Sequence, residues 1–329
     1  MALTISGTGI VQSGSFNSAS IFGFKNRIIN GAANINQRYG ITSASMPATV
    51  GTYTGQDRWS YDMVGTPAGS FSTITTGPTG LFNNSFGLYR DNASTSTSTI
   101  SMAQAIETQN CIDLAGDYAT LSFWAQAQAG FSAASSYLNS KISFGTGTDQ
   151  TVASMRNNTW TGLTSVTTST AITTTWTRYT ITVSVPAGTT QVGVQLYWNP
   201  TGTAPSGGLD SVRITGIQLE KGSTATSYDF LPAGVEEILC KRYYQSDILI
   251  ATGGGATPAS TNRKFFVTAL WPVPFRATPT MSLVNGVNIT NTTGATWDYL
   301  SSSRGRFYVL NSIANDIEYV AYYQGSAEL

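Results

Sequence analysis

The feature that most constrains this chain is a strict alternation of apolar and other residues along several segments. In residues 119–126 every second position is apolar, and residues 179–185 and 192–198 repeat this period of two. In the first of these segments the apolar positions are Ala119, Leu121, Phe123 and Ala125. Successive side chains of a β-strand point to opposite faces of a sheet, so this pattern predicts half-buried antiparallel strands.

The spacing of these segments indicates the architecture. Strand candidates recur roughly every 10–20 residues, with clusters of Gly, Asn, Ser and Thr between them. Residues 186–188, Pro-Ala-Gly, form a predicted turn between two such strands. This arrangement favours an all-β jelly-roll β-sandwich.

One segment has a helical period instead. Apolar residues at spacings of three and four fall on one face after Pro232, and they are Val235, Ile238, Leu239 and Tyr243. Two acidic residues lie in the first turn and two basic residues in the last turn, as the helix dipole prefers. We predict a short helix near residues 233–245. The expected order is a leader over 1–25, the jelly-roll domain over 26–232, and the helix with a smaller C-terminal β domain over 233–329.

The composition excludes several classes of function. The chain has no histidine, 17 basic and 17 acidic residues, and only 10% charged residues. A Ser-His-Asp unit and a His-based zinc site are therefore impossible, and two cysteines are too few for a four-cysteine zinc site. A net charge of zero gives no electrostatic footprint for nucleic acid. We predict no catalytic residues, no metal and no cofactor.

The two cysteines and the apolar content support further expectations. Cys111 and Cys240 are far apart and lack CxxC spacing, so we expect two buried free thiols, with a disulfide between them as the alternative. The first ten residues lack the basic and apolar regions of a signal peptide. No run of about 18 apolar residues occurs, so no membrane insertion is predicted.

Several short strings occur in a characteristic order along the chain. They are Asn26–Gly31 (NRIING), residues 35–38 (INQR), 57–59 (DRW), 121–124 (LSFW), 214–222 (ITGIQLEKG), 240–244 (CKRYY), 275–279 (FRATP) and 327–329 (AEL). In this order they resemble a group of bacteriophage tail-fibre and virion appendage proteins over about residues 25–329. The resemblance implies a central domain similar to a carbohydrate-binding module, a place on the virion surface, and a homotrimer.

Three aromatic residues are the candidates for sugar binding. Aromatic faces stack on pyranose rings, and amide and hydroxyl groups bond the sugar hydroxyls. Trp124 is predicted on the polar face of its strand, Trp160 in a loop, and Tyr197 on the face opposite Trp198. Each of them has packing as its alternative role.

Three functions compete at this point. The first is a receptor-binding virion protein that recognises host surface glycan without cleaving it. The second is a purely structural virion protein, such as a head fibre, capsid cement or tail adaptor, that binds only viral partners. The third is a glycan depolymerase, which needs a pair of carboxylates, and acidic residues are sparse here.

The leader has its own expected role. Residues 1–25 begin with a short alternation and continue rich in Gly and Ser, so they cannot bury a core alone. Such a segment can add a strand to the edge of a partner's sheet. We expect residues 1–25 to bind other virion proteins, with a disordered end as the alternative.

Overall fold

The computed structural model of the chain describes residues 3–4, 10–11, 25–38, 43–253, 264–311 and 317–329. The predicted anchoring role of residues 1–25 falls largely outside the described residues. Within them, Leu3–Thr4 pairs with Ile10–Val11 as a two-stranded antiparallel ladder.

Two antiparallel sheets form the larger part of the described chain. In chain order the elements up to residue 221 are β1 (Leu3–Thr4), β2 (Ile10–Val11), β3 (Ala44–Ser45), β4 (Ser60–Met63), β5 (Gly69–Ile74), β6 (Ser85–Arg90), β7 (Ile100–Ala105), β8 (Tyr118–Ala127), β9 (Tyr137–Gly145), α1 (Val152–Arg156), β10 (Thr164–Ala171), β11 (Thr177–Ser184), β12 (Gln191–Trp198) and β13 (Ser211–Lys221), with 3-10 turns at Thr108–Asn110, Ile112–Leu114 and Ala134–Ser136. The five-stranded sheet has the order β10-β9-β12-β7-β4, and the six-stranded sheet β11-β8-β13-β6-β5-β3. We call these two sheets the sandwich.

The core of the sandwich follows the alternation in the sequence. On β8 the side chains of Leu121 and Phe123 are fully buried between the sheets, and Trp124 on the opposite face is half-buried. Ser122 on that outer face is also fully buried, because a second layer lies over this sheet. In that layer, Thr226 accepts through its main-chain oxygen from the guanidinium of Arg178.

A smaller β unit follows a short helix. Its elements are α2 (Ala233–Lys241), β14 (Tyr244–Gly253), β15 (Lys264–Leu270), β16 (Thr280–Thr290), β17 (Thr292–Asp298), β18 (Arg304–Asn311) and β19 (Ile317–Ser326). Two three-stranded sheets, β14-β19-β16 and β15-β18-β17, enclose a second apolar cluster that includes Trp271 and Phe307. We call them the C-terminal sheets. The predicted all-β class, with a sandwich, a short helix and a smaller β unit, is confirmed, and the domain boundaries at residues 26 and 233 stay a prediction.

Helix α2 differs from its prediction in length and in its buried face. It ends at Lys241 rather than near residue 245, because Tyr244 already pairs with Ser326 at the start of β14. The buried positions are Glu236 and Cys240, whereas Ile238 is 51% exposed. The predicted apolar face was wrong for Ile238 and missed Glu236 and Cys240. Its other members are buried or half-buried, and they are Val235, Leu239 and Tyr243. Burial of Glu236 is compensated by Asn34, whose side-chain nitrogen donates to the carboxylate at 3.2 Å.

The sandwich and the C-terminal sheets meet at a buried polar junction. Arg58 is ion-paired with Glu328, and its guanidinium lies 3.5 Å from the ring centroid of Tyr243. Arg38 pairs with the same carboxylate at 3.2 Å and lies 3.5 Å from the ring centroid of Tyr244. Four of the short strings in the sequence thus converge in space, namely 35–38, 57–59, 240–244 and 327–329. We call this cluster the junction.

The string at 57–59 has a structural role there. Trp59 is fully buried and donates from its ring nitrogen to the main-chain oxygen of Asn30 at 3.1 Å. Burial raises the pKa of Asp57 against the opposing effect of Arg38. All three residues of the string are buried, which excludes a sugar contact there.

The segment after β19 returns to the sandwich. Leu329 is 1% exposed and packs in an apolar cluster with Val152, Met155 and Trp160. Its main-chain oxygen accepts from the amide of Val152 at 2.9 Å and from the hydroxyl of Tyr53 at 2.6 Å. The C-terminal sheets are therefore fastened to the sandwich both before β14 and after β19.

Both cysteines are buried free thiols, as predicted. Burial raises the pKa of Cys111 to about 12 and raises that of Cys240 as well. No helix in the described ranges is long and apolar enough to cross a membrane.

Candidate functional site

The structure separates the three predicted sugar-binding residues. Trp124 lies on the outer face of the six-stranded sheet, where it is paired with Arg178 of β11. Tyr197 lies on the outer face of the five-stranded sheet, on the other side of the sandwich. Trp160 follows α1 and is 3% exposed. They do not form one site.

Trp160 packs against the five-stranded sheet. Its ring nitrogen donates to the main-chain oxygen of Thr151 at 2.9 Å. Two glycines on neighbouring strands make room for it: a Cβ on Gly145 would lie 2.9 Å from its ring, and one on Gly193 would lie 2.2 Å from the sulfur of Met155. The ring is thus enclosed, and the expectation that it stacks on a sugar is replaced by a packing role.

The outer face of the five-stranded sheet carries a polar row beside this covered region. The antiparallel register places one residue of each strand side by side, in the order Asp62, Ser101, Tyr197, Asn139 and Ser169. These positions alternate with core residues such as Met63 and Trp198. Asp62 and Ser101 are 1% and 0% exposed. The groups of the row that reach solvent are therefore the amide of Asn139 and the hydroxyl of Ser169, beside the half-buried ring of Tyr197.

Hydrogen bonds fix the groups in this row. Arg156, at the end of α1, holds both carboxylate oxygens of Asp62 at 3.0 and 2.7 Å. The hydroxyl of Ser169 donates to the side-chain oxygen of Asn139 at 2.6 Å. Such bonds orient the side chains before any ligand arrives, which lowers the entropic cost of binding.

A second tyrosine on this face was missed by the sequence reasoning. Tyr137 begins β9, is 42% exposed, and stands two residues from Asn139, the partner of Tyr197. Diagonal neighbours of this kind lie about 7–8 Å apart, within reach of aromatic side chains. The sequence does contain the signal, since the inward positions Leu138 and Ile142 place Tyr137 on the outer face.

The face is also weakly cationic. The ammonium of Lys141 bonds the side-chain oxygen of Asn158 at 3.3 Å. Its pKa is lowered, first by burial and then by the positive charge of Arg156. Arg156 neutralises Asp62, so among the described residues the one further charge on this part of the face is that of Lys141.

The arrangement supports binding better than bond cleavage. Exposed ring faces next to oriented amides and hydroxyls are the usual components of a saccharide site. A glycosidase needs two carboxylates on either side of the scissile bond. In the polar row the one carboxylate is Asp62, and Arg156 holds both of its oxygens. Among the described residues, no three Cys, Asp or Glu side chains come together as a metal site.

Comparison with known proteins gives matches in structure but none in sequence. No family model and no curated protein matches the chain. The tailspike protein 4 enzymatically active domain of bacteriophage CBA120 matches 60% of this chain and 21% of its own, with 17% identity and a TM-score of 0.38. This chain thus spans about a fifth of that tailspike.

Carbohydrate-binding modules are among the other similar structures. TmCBM61, solved with β-1,4-galactotriose, matches 60% of this chain and 98% of its own at 10% identity and a TM-score of 0.32. The CBM22-1-GH10 modules of Clostridium thermocellum xylanase 10B, solved with xylohexaose, match 58% of this chain and 29% of theirs at 11% identity and a TM-score of 0.31. Because these TM-scores lie below 0.5, the β-sandwich is established by the strand pairing described above.

Proposed function

We propose that this chain is a surface protein of a bacteriophage particle, a tail fibre or other receptor-binding appendage, that binds host glycan without cleaving it. The observation that carries the proposal is the outer face of the five-stranded sheet, with Tyr137 and Tyr197 beside oriented amide and hydroxyl groups. The resemblance of the ordered sequence strings to virion appendage proteins supports the particle and its surface as the location.

Weak single sites suit such a role when they are repeated. One shallow saccharide site binds with about 4–8 kcal/mol, which corresponds to millimolar to micromolar dissociation constants. Several linked sites raise the effective affinity about 100-fold or more. We therefore propose a homotrimer, in which residues 1–25 bind other virion proteins.

The C-terminal sheets offer a surface for that assembly. On the outer face of β14 and β19, Ile248, Ile250 and Tyr322 are 42%, 55% and 49% exposed. Ile248 and Tyr322 are direct cross-strand partners, so the patch is continuous. Ile250→Glu places a charge in it, and we expect light scattering to show a trimer for the unaltered chain and a monomer for this variant. A monomer for both would contradict the assembly.

The glycan experiment uses the full chain and purified envelope polysaccharide of the host. We expect immobilised polysaccharide to retain the protein, and Tyr197→Ala and Tyr137→Ala to weaken retention at least about 10-fold, as about 1.4 kcal/mol per ring requires. The control is Tyr118→Ala, since Tyr118 is 52% exposed on the six-stranded sheet. Absence of retention would contradict glycan binding, and released oligosaccharides would contradict a non-enzymatic role.

A further inference from the structure

The outer face of the sheet β15-β18-β17 is a second surface with chemistry of its own. Along β15 the exposure alternates strictly. The inward residues Phe265 and Val267 pack on the C-terminal core, while Phe266 and Leu270 point outward and are 51% and 72% exposed. This face lies outside the sandwich and is distinct from the candidate site described above.

Aromatic rings and guanidinium groups interleave on this face. The guanidinium carbon of Arg306 lies 4.1 Å from the ring centroid of Tyr299 and 4.5 Å from that of Phe266. Both carboxylate oxygens of Asp298 accept from Arg306 at 2.8 Å. The ammonium of Lys264 lies 4.1 Å from the ring centroid of Tyr308. The rings are thus held in place, while Phe266 and Tyr299 stay 51% and 75% exposed.

Tyr299 is the most exposed of these rings and has an unusual backbone. Its side chain is 75% exposed and its φ is +48°. A bulky residue in the left-handed region costs free energy, and such strain tends to occur where a side chain serves a ligand. Glycine would adopt this backbone without strain, so a tyrosine here points to a use for its ring.

Beside Tyr299 the surface forms an open cavity of about 910 Å³, within the range of ligand sites. The residues of its lining that bear on recognition are Leu270, Tyr299, Ser301, Ser303, Arg304 and Arg306. An apolar wall, an aromatic ring, hydroxyls and two guanidinium groups therefore face one space. This combination suits a saccharide that stacks on one side and is hydrogen-bonded on the other.

The charge of this face selects among saccharides. Its described residues carry three cations, Lys264, Arg304 and Arg306, against the single carboxylate of Asp298, in a chain whose net charge is zero. Among the described residues Arg304 has no ion-pair partner. Guanidinium groups bind carboxylates and phosphates through paired hydrogen bonds. We propose that this face binds an acidic polysaccharide, stacking a sugar ring on Tyr299 and pairing an acidic substituent with Arg304.

The probe is polygalacturonate, with its fully methyl-esterified form as the matched neutral polymer. We expect the full chain to bind the acidic polymer at least 10-fold more tightly than the ester. Raising the salt concentration should weaken only the former. Equal binding of both polymers, or no binding of polygalacturonate, would overturn the proposal.

Two variants locate the binding. Arg304→Gln removes an exposed, unpaired charge, and Tyr299→Gly removes the ring while relieving its backbone, so both should fold normally. Each should weaken polygalacturonate binding at least 10-fold. The control Tyr118→Ala, at an exposed tyrosine of the six-stranded sheet and outside both proposed sites, should leave it unchanged.

The same protein is also tested for binding to nucleic acid and to further copies of itself. Tighter binding of a single-stranded oligonucleotide than of polygalacturonate would overturn the proposal, since stacking beside cations also suits nucleic acid. A drop in oligomer mass on Tyr299→Gly would overturn it too, because the face would then be a contact between copies of this chain.

Discussion

The sandwich and the C-terminal sheets follow the same alternation but expose different chemistry. In the sandwich the Arg90–Asp210 pair is fully buried, with 0% of either side chain exposed. In the C-terminal sheets the Arg306–Asp298 pair is 37% and 28% exposed. The sandwich has loops and α1 lying over its sheets, whereas the described outer faces of β15 and β18 remain open. Whether water reaches an ion pair therefore depends on the loops and helices packed around it, which the alternation along a strand does not show.

The largest expected effect comes from the buried ion pair. Asp210→Asn leaves Arg90 buried without its counter-charge, which should lower the free energy of unfolding by about 3–5 kcal/mol. The matched change Asp298→Asn should leave the urea midpoint unaltered, because exposed pairs add little. Equal losses in both variants would remove the contrast between the two regions.

Core truncations test how the two regions depend on one another. Leu121 in the sandwich and Leu249 in the C-terminal sheets are 0% and 3% exposed. Leu→Ala at either should cost about 2–5 kcal/mol. Since the junction is built on the sandwich, Leu121→Ala should speed amide hydrogen exchange in both regions, and Leu249→Ala only in β14 and β19. If Leu121→Ala speeds amide hydrogen exchange in the sandwich alone, the C-terminal sheets are stable independently of the sandwich.

The junction itself should have a smaller effect. Arg58→Met removes an ion pair and a main-chain hydrogen bond, yet Arg38 continues to pair with Glu328. We expect a loss of about 1–3 kcal/mol, measured by urea unfolding, with faster proteolysis after residue 326. The control is Arg27→Met, which removes a partly exposed pair with Asp113. A loss no larger than that of the control would show that the junction contributes little.

The smallest effect concerns pH. Burial raises the pKa of Glu236 above its ordinary value of 4.5. The folded state then holds the proton more tightly than the unfolded state, so this stabilisation is present below pH 4.5 and is lost as pH rises through the folded pKa. Glu236→Gln keeps an acceptor for Asn34 without the charge. Its free energy of unfolding relative to the unaltered chain should increase from pH 4.5 to pH 7, whereas a constant difference would contradict the burial effect.

Local patterns in the sequence were sufficient to predict the strands. They were not sufficient to predict which loops and helices lie over the sheets. The alternation predicted β8, β11 and β12, because the period of two is a property of each strand alone. The buried face of α2 could not be predicted, since Asn34 compensates Glu236 from about 200 residues away. Trp160 is buried because Gly145 and Gly193 leave space for its segment, and the sequence does not show that those glycines share one face of a sheet. The outward position of Tyr137 could have been predicted from the alternation along its strand. The junction could not, because its residues come from segments far apart in the sequence.

The double fastening of the C-terminal sheets has a mechanical consequence. Tyr244 and Ser326 are cross-strand partners, so the chain leaves and rejoins the sandwich at points about 4.5–5.5 Å apart. The C-terminal sheets are thus an insertion whose two ends, Tyr244 and Ser326, lie side by side next to the sandwich. A force that pulls the C-terminal sheets away from the sandwich is shared by the two chain segments, one before β14 and one after β19. Because the two segments are attached at separate points, they also oppose rotation of the sheets about either one. A force on a ligand bound to the sheet β15-β18-β17 would therefore reach the sandwich through two connections. Two connections allow less rotation of these sheets than a single flexible linker.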